Sequence, residues 1–344
     1  MAFQTASGYG NLPNGNFSPV IYSQKVQKTF RKSSVVEDVT NTDYMGEIAN
    51  YGDSVRIIKE PEIAVSSYAR GTTLATQDIT DADFSLVIDQ ANYFQFAIDD
   101  IESAHSHVNF MELATDRAAY RLRDEFDAEV MGYMSGYEKN GSGVWVPRTA
   151  PNGTKADAGA DADELFAANK LDAATFGGTA GDSIQLAPSV ASGSGVASPL
   201  AVLNRIARQM DLANVDTESR WVIVDPVFIE MLMDENSKLV DADFGGNGEL
   251  QNGKVFSNLR GFKVYKSNNL PFVGTGAGAT AGGATDFGVI VAGHNSAVAT
   301  AQQIDKTESF RDPNTFADKV RGMQLYGRKI LRPEALFTAA YSLA

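Results

Sequence analysis

The residues able to do chemistry are few, and their spacing suits no reaction. Three histidines occur, His105, His107 and His294, and cysteine is absent. Without a thiol there is no disulfide, no thiolate nucleophile and no cysteine-based zinc site. His105 and His107 invite a metal, but both fall in a stretch with helical periodicity. Side chains two apart on a helix diverge by about 200° around the axis, so these rings cannot share one ion. His107 and Glu112, five apart, are no better placed. Asp157, Asp161, Asp163 and Glu164 lack the spacing of a calcium loop and read as a solvated acidic loop. No glycine-flanked serine elbow, phosphate loop or dinucleotide fingerprint follows a predicted strand. Gly274, Gly276 and Gly278 come after an apolar pair, but no helical pattern follows to complete a phosphate cradle. The expectation is a chain with no catalytic site, no metal and no cofactor, one that works through its surfaces.

Those surfaces are acidic overall and unevenly charged. The formal net charge over 344 residues is −14, which argues against a whole surface built to grip phosphates. Yet before Glu37 the only charged side chains are Lys25, Lys28, Arg31 and Lys32. The segment is rich in Gly, Asn, Ser and Gln and shows no sustained period, so it reads as an extended arm with a basic end. No charged leader precedes an apolar run, and no stretch is apolar enough to span a membrane, so folding in a cytoplasm is expected.

The elements that must position these surfaces follow in order. Val55–Glu60 with Ile63–Val65, and Phe84–Asp89 with Tyr93–Phe96, read as the two arms of a long hairpin with a broad polar tip from Ser66 to Asp83. Pro61 fits a strand with an unpaired edge. A lone two-stranded ribbon has no second layer on which to bury its apolar face, so it needs a partner surface. From Asp99 to Ser135 apolar residues recur every three or four positions: Ile101, Ala104, Val108, Met111, Ala114, Ala118, Leu122, Phe126, Val130 and Met134. That period predicts one long helix, with Asp99, Asp100 and Glu102 in its first turn and Arg121 pairing with Glu125. The spacing keeps no heptad, so a coiled coil is disfavoured.

Beyond Asn140 the composition turns to Gly, Ala, Ser, Thr and Asp, an excursion anchored by Trp145 and Phe166. A short helix near Asp161–Leu171 and a strand near Ser183–Leu186 are expected there. An amphipathic helix from Leu200 to Met210, a strand Trp221–Asp225, a helix Val227–Met233, and strands Gly261–Lys266 and Phe287–Ala292 then form an α/β unit. The last fifty residues read as strands: Ala297–Ile304, Asp318–Tyr326 and Ala335–Tyr341.

This order resembles that of the major capsid proteins of tailed bacteriophages, the Hong Kong 97-like family. Three stretches look like that family in particular. They are Ser34 to Tyr51, Asp89–Phe94 leading into Asp99–Glu102, and Gly261 to Pro271. The resemblance implies an α+β fold. Residues 1–51 would be an N-terminal arm and 52–97 an extended β-hairpin E-loop. Residues 98–138 would form the spine helix of a peripheral domain, 139–198 a Gly/Ala-rich excursion, 199–296 an axial domain, and 297–344 strands returning to the peripheral domain. It further implies pentamers and hexamers that close an icosahedral shell around double-stranded DNA, with the E-loop covered by the adjacent subunit. Expected inter-subunit contacts are Lys25, Lys28 and Arg31 on the arm and Arg56, Lys59, Arg70, Asp78 and Asp81 on the loop. Expected partners are further copies of the chain, a separate scaffolding protein, a portal and a decoration protein. The packaged DNA would be held without sequence-specific contacts and no membrane would be involved; the chain would end in the virion after assembly in the host cytoplasm. Some members weld neighbours through an E-loop lysine; the tip here carries only Arg70 as a cation, so non-covalent cohesion is expected. An encapsulin-like compartment with a protein cargo is the alternative.

Overall fold

The computed structural model describes residues 34–44, 54–58, 63–71, 73, 76–77, 83–99, 110–147, 165, 167–187, 194–233, 258–273, 287–313 and 315–343. In chain order these begin with a one-turn helix α1 (Val36–Val39), then strands β1 (Ser54–Ile58) and β2 (Asp83–Asp99) and the long helix α2 (Phe110–Ser135). Five short strands follow: β3 (Tyr137–Lys139), β4 (Trp145–Pro147), β5 (Lys170–Leu171), β6 (Ile184–Leu186) and β7 (Val196–Ala197). Helix α3 (Pro199–Leu212), strand β8 (Arg220–Val224) and helix α4 (Pro226–Leu232) come next, then β9 (Asn258–Leu259), β10 (Phe262–Lys266), β11 (Phe272–Val273) and β12 (Phe287–His294). The last strands are β13 (Val298–Arg311), β14 (Ala317–Ile330) and β15 (Leu336–Leu343).

These strands build two main sheets. The smaller has the order β1-β2-β14-β13, all neighbours antiparallel. The larger runs β7-β6-β15-β12-β8-β10-β9, with β5 on β15 and β11 on β12. β8 lies at the heart of the larger sheet, and every one of its residues is buried, as a run of Trp, Val, Ile and Val requires when both sheet faces are covered. Its alternation decides what covers each face. Val222 and Val224 pack with Val202, Leu203, Ile206 and Met210 of α3 and with Phe228, Ile229 and Leu232 of α4. Trp221 and Ile223 pack instead with Phe126, Val130, Met131 and Met134 of α2 and with Val298, Tyr326 and Ile330 of the smaller sheet. The C-terminal half of α2 is therefore the seam between the two sheets. Both covering helices start on a built cap: Ser198 Oγ accepts from the Ala201 N–H at 3.2 Å, and the Asp225 carboxylate accepts from the Phe228 N–H at 3.1 Å, each followed by a proline.

Several expectations need correction. The hairpin is not a lone ribbon. β1 pairs with β2 from Ser54↔Val87 to Ile58↔Asp83, but β2 continues on β14 as far as Asp99↔Ala317. Asp99 thus closes a strand and does not open a helix, because Tyr93, Gln95, Ala97 and Asp99 keep a strict outward alternation paired on β14. Residues 100–109, with both His105 and His107, lie outside the described residues. Ile63–Val65 is not a strand, and the Ala64 N–H donates instead to Gln77 Oε1 at 2.9 Å. Arg121 pairs with Asp124 at 3.0 Å, while Glu125 reaches Lys139 at 3.3 Å. The expected helix near 161–171 shows only a single tight turn at Ala167–Asn169 among its described residues.

The Gly/Ala-rich stretch is also less of an excursion than its composition suggests. β6 and β7 border the larger sheet, and Ile184 and Leu186 are fully buried. Trp145 does anchor β4: a Cβ on Gly132 of α2 would lie 2.6 Å from its ring, so the glycine is what lets the indole close on the helix. Phe166 lies outside the described residues. β15 enters the larger sheet between β6 and β12, whereas β13 and β14 stay in the smaller one.

Candidate assembly interface

The segment ahead of the hairpin is fixed at its root by a buried carboxylate. Asp127 on α2 is wholly inaccessible. Its Oδ1 accepts from the Val35 and Val36 N–H groups at 3.1 and 3.0 Å and from Ser34 Oγ at 3.0 Å. Its Oδ2 accepts from Asn269 Nδ2 at 3.2 Å, and the same amide donates to Asp124 Oδ1 at 2.9 Å. Burial pushes the Asp127 carboxyl up, while the bonds from Val36, Ser34, Val35 and Asn269 oppose that shift. Two stretches far apart in sequence, 34–36 and 267–269, therefore meet on one turn of helix. The chain then crosses to the smaller sheet. Thr40 Oγ1 shares a 2.9 Å hydrogen bond with Thr300 Oγ1, and Asn41 bridges Ala299 at the start of β13.

From this fixed root the hairpin projects. Its strands are tied to the body through β14, β13 and α2, and its described tip is bare. Val65 is 97% exposed, and Ile58, Ile63 and Tyr68 are exposed too. A second apolar patch lies on the outer face of the smaller sheet. Tyr93, 80% exposed, sits directly across from Met323, which in turn faces Lys306 on β13. Phe316, at the β13–β14 turn, is exposed as well. Arg321 grips Glu308 on the same face at 2.7 Å. Large apolar side chains held on extended, solvated backbone fit a surface that another chain covers.

Of the expected contact residues, Arg56 on β1 and Arg70 in the tip turn are described, and both are exposed. Lys25, Lys28, Arg31, Lys59, Asp78 and Asp81 lie outside the described residues. His294 ends β12 and its Nδ1 shares a 2.8 Å hydrogen bond with Ser296 Oγ. Among the described residues no group of three His, Asp or Glu side chains could hold a metal, and no helix is long and apolar enough to cross a membrane. Sequence reasoning missed the Asp124–Asp127–Asn269 cluster. Its one signal was two aspartates three apart inside an otherwise apolar helical stripe.

The architecture has close counterparts among solved structures. Mycobacterium phage Che8 supplies one with a TM-score of 0.67 and 25% identity, matching 95% of this chain and 97% of its own. The capsid structure of the cyanophage P-SCSP1u gives 0.66 at 20% identity, over 99% of both chains. The asymmetric unit of the bacteriophage PhiM1 mature capsid gives 0.60 at 16%, over 100% of this chain and 97% of that one. This is a phage capsid fold. The match covers nearly all of each chain. No protein-family model and no curated protein matches the sequence; the likeness is carried by backbone arrangement.

Proposed function

We propose that the chain is the major capsid protein of a tailed bacteriophage, with the Hong Kong 97-like arrangement. In this reading α2 is the spine helix, the β1–β2 hairpin is the E-loop, the smaller sheet with α2 forms the peripheral domain, and the larger sheet forms the axial domain. Copies gather as pentamers and hexamers and close into an icosahedral shell around double-stranded DNA. The observation that carries the reading is the end-to-end likeness to capsid structures in a chain whose hairpin tip is bare. A tip that presents Val65 and Tyr68 to water gains most by lying on a neighbour, and modest contacts repeated around a closed shell add up. The role is structural and not catalytic.

The charge agrees with this role. A net charge of −14 lets packed DNA lie against the shell without gripping it. Lys25, Lys28 and Arg31 of the arm, and Arg56, Lys59, Arg70, Asp78 and Asp81 of the loop, are the proposed inter-subunit contacts. A separate scaffolding protein and a portal are the expected assembly partners, with a decoration protein as a further candidate. The test is electron microscopy and light scattering of the chain expressed with and without its co-encoded scaffold. Regular closed shells are expected with the scaffold present. A stable species near 36.9 kDa under every condition overturns the proposal, and shells that hold protein in place of nucleic acid point to a cargo compartment.

A further inference from the structure

β14 alternates as a strand must, with Arg321 and Met323 exposed and Gly322, Gln324 and Tyr326 turned inward. Gln324 is only 6% exposed, and its Oε1 meets no hydrogen-bond donor. A buried acceptor left unmet is rare and costly. The same side chain borders a cavity of about 330 Å³ between α2 and strands β2, β13 and β14, at the small end of the range for ligand pockets. Phe94, Leu122 and Phe126 give it apolar walls. The Phe94 ring lies so close over Gly322 that a Cβ there would stand 2.4 Å from it. Phe126 is braced edge-to-face on Tyr326, with ring centres 4.8 Å apart. Exposed groups mark the mouth: Glu37 of α1, ion-paired with Arg123 of α2, and Thr307 of β13.

We propose that this cavity seats Tyr68 from the hairpin tip of a second copy, with the phenol ring among the apolar walls and its hydroxyl on the Gln324 amide. This seating presupposes the shell proposed above and names where one tip meets its neighbour. An occupant must bring both apolar surface and a donor. Among the large apolar side chains exposed in the described residues, only Tyr68 and Tyr93 carry a donor. Tyr93 is held on a paired strand across from Met323. Tyr68 stands just before the tip turn, on backbone outside any strand, and is 65% exposed. A hydroxyl both donates and accepts, and a glutamine amide turns about its last bond, so Oε1 can swing to meet it. The cavity's own hairpin does not fill it. That tip begins beyond the Ile58↔Asp83 pair, roughly 37 Å along β2 from Phe94 at the rise of a strand, and its tyrosine faces water.

The chain has no cysteine, so single thiols report the contact. Full-length Tyr68→Cys and Thr307→Cys chains are co-assembled into particles with wild-type chain as carrier, treated with a short bismaleimide and boiled in detergent. Cross-linked pairs near twice 36.9 kDa are expected in clear excess over particles that carry either variant alone. Closed particles in which the mixture gives no excess overturn the seating and leave the shell reading standing. Wild-type chain that never closes into particles overturns that reading, and the seating with it. The hydroxyl is tested separately. Tyr68→Phe is expected to speed the loss of subunits from particles in urea about threefold or more where Gln324 is present, and less than about twofold in a Gln324→Leu background. An equal effect in both backgrounds overturns the seating as well.

Discussion

Asp127 shows how much of this subunit rests on a single side chain. It satisfies two backbone N–H groups, a hydroxyl and an amide with no solvent contact. Asp127→Ala strands those donors in a dry site. Each buried donor left without an acceptor costs about 1–3 kcal/mol, and partial relaxation keeps the sum nearer to about 3–4 kcal/mol. The urea midpoint should fall accordingly, with the slope unchanged. Asp127→Asn keeps the acceptor for residues 34–36 and removes the charge that burial disfavours, but turns an N–H toward Asn269. It should lose less than half as much. Because the folded value is raised, the difference between the wild type and Asp127→Asn should shift in favour of Asn as pH rises above the ordinary aspartate range. Thermal melts at pH 4 and pH 7 compare the two. The spacing of Asp124 and Asp127 was the one trace of this in the sequence, and an aspartate on a predicted helix ordinarily reads as a solvated face.

At the scale of elements, periodicity carried far. The stripe through Leu122, Phe126, Val130 and Met134 marked the long helix. Apolar runs located β8, β10 and β12, and Ser198 and Asp225 stand at helix starts as capping chemistry demands. Pairing was less legible. β2 draws its partner from residues 317–327, more than two hundred positions away, and no local pattern encodes that choice. The strand therefore runs up to Asp99, the first of the adjacent aspartates that suggested a helix start. The join with β14 is itself delicate. The register shifts between Tyr326 and Gly327, and a Cβ on Gly327 would lie 2.3 Å from the Val87 carbonyl oxygen. A backbone oxygen in a paired strand cannot swing aside as a side chain can. Gly327→Ala should cost about 2–3 kcal/mol and weaken β2 protection in hydrogen exchange while leaving α3 and α4 untouched.

For the whole molecule the decisive property is what it leaves uncovered. Val65→Asp in the bare tip should leave the melting temperature of the isolated subunit within about a degree, since surface changes stay within about 0.5 kcal/mol. It should sharply lower the yield of closed particles, scored by electron microscopy and sedimentation. Boiled particles on a denaturing gel should run as one band near 36.9 kDa, because the tip carries no lysine from Ser66 to Asp83; a ladder of multiples would contradict that. β2 also has a mechanical side. Of its 17 residues, those from Ile88 to Asp99 lie on β14, and the rest reach up to about 17 Å beyond it at the rise of a strand. Treated as a stiff lever, this free segment moves its far end by about 1 Å for a turn of roughly three degrees where it leaves β14. Small angular adjustments at the β2–β14 join are thereby magnified into ångström-scale differences in reach. In the proposed shell a single subunit design then spans gaps of unequal width without refolding, and the place to look for such accommodation is the base of the hairpin, not its tip.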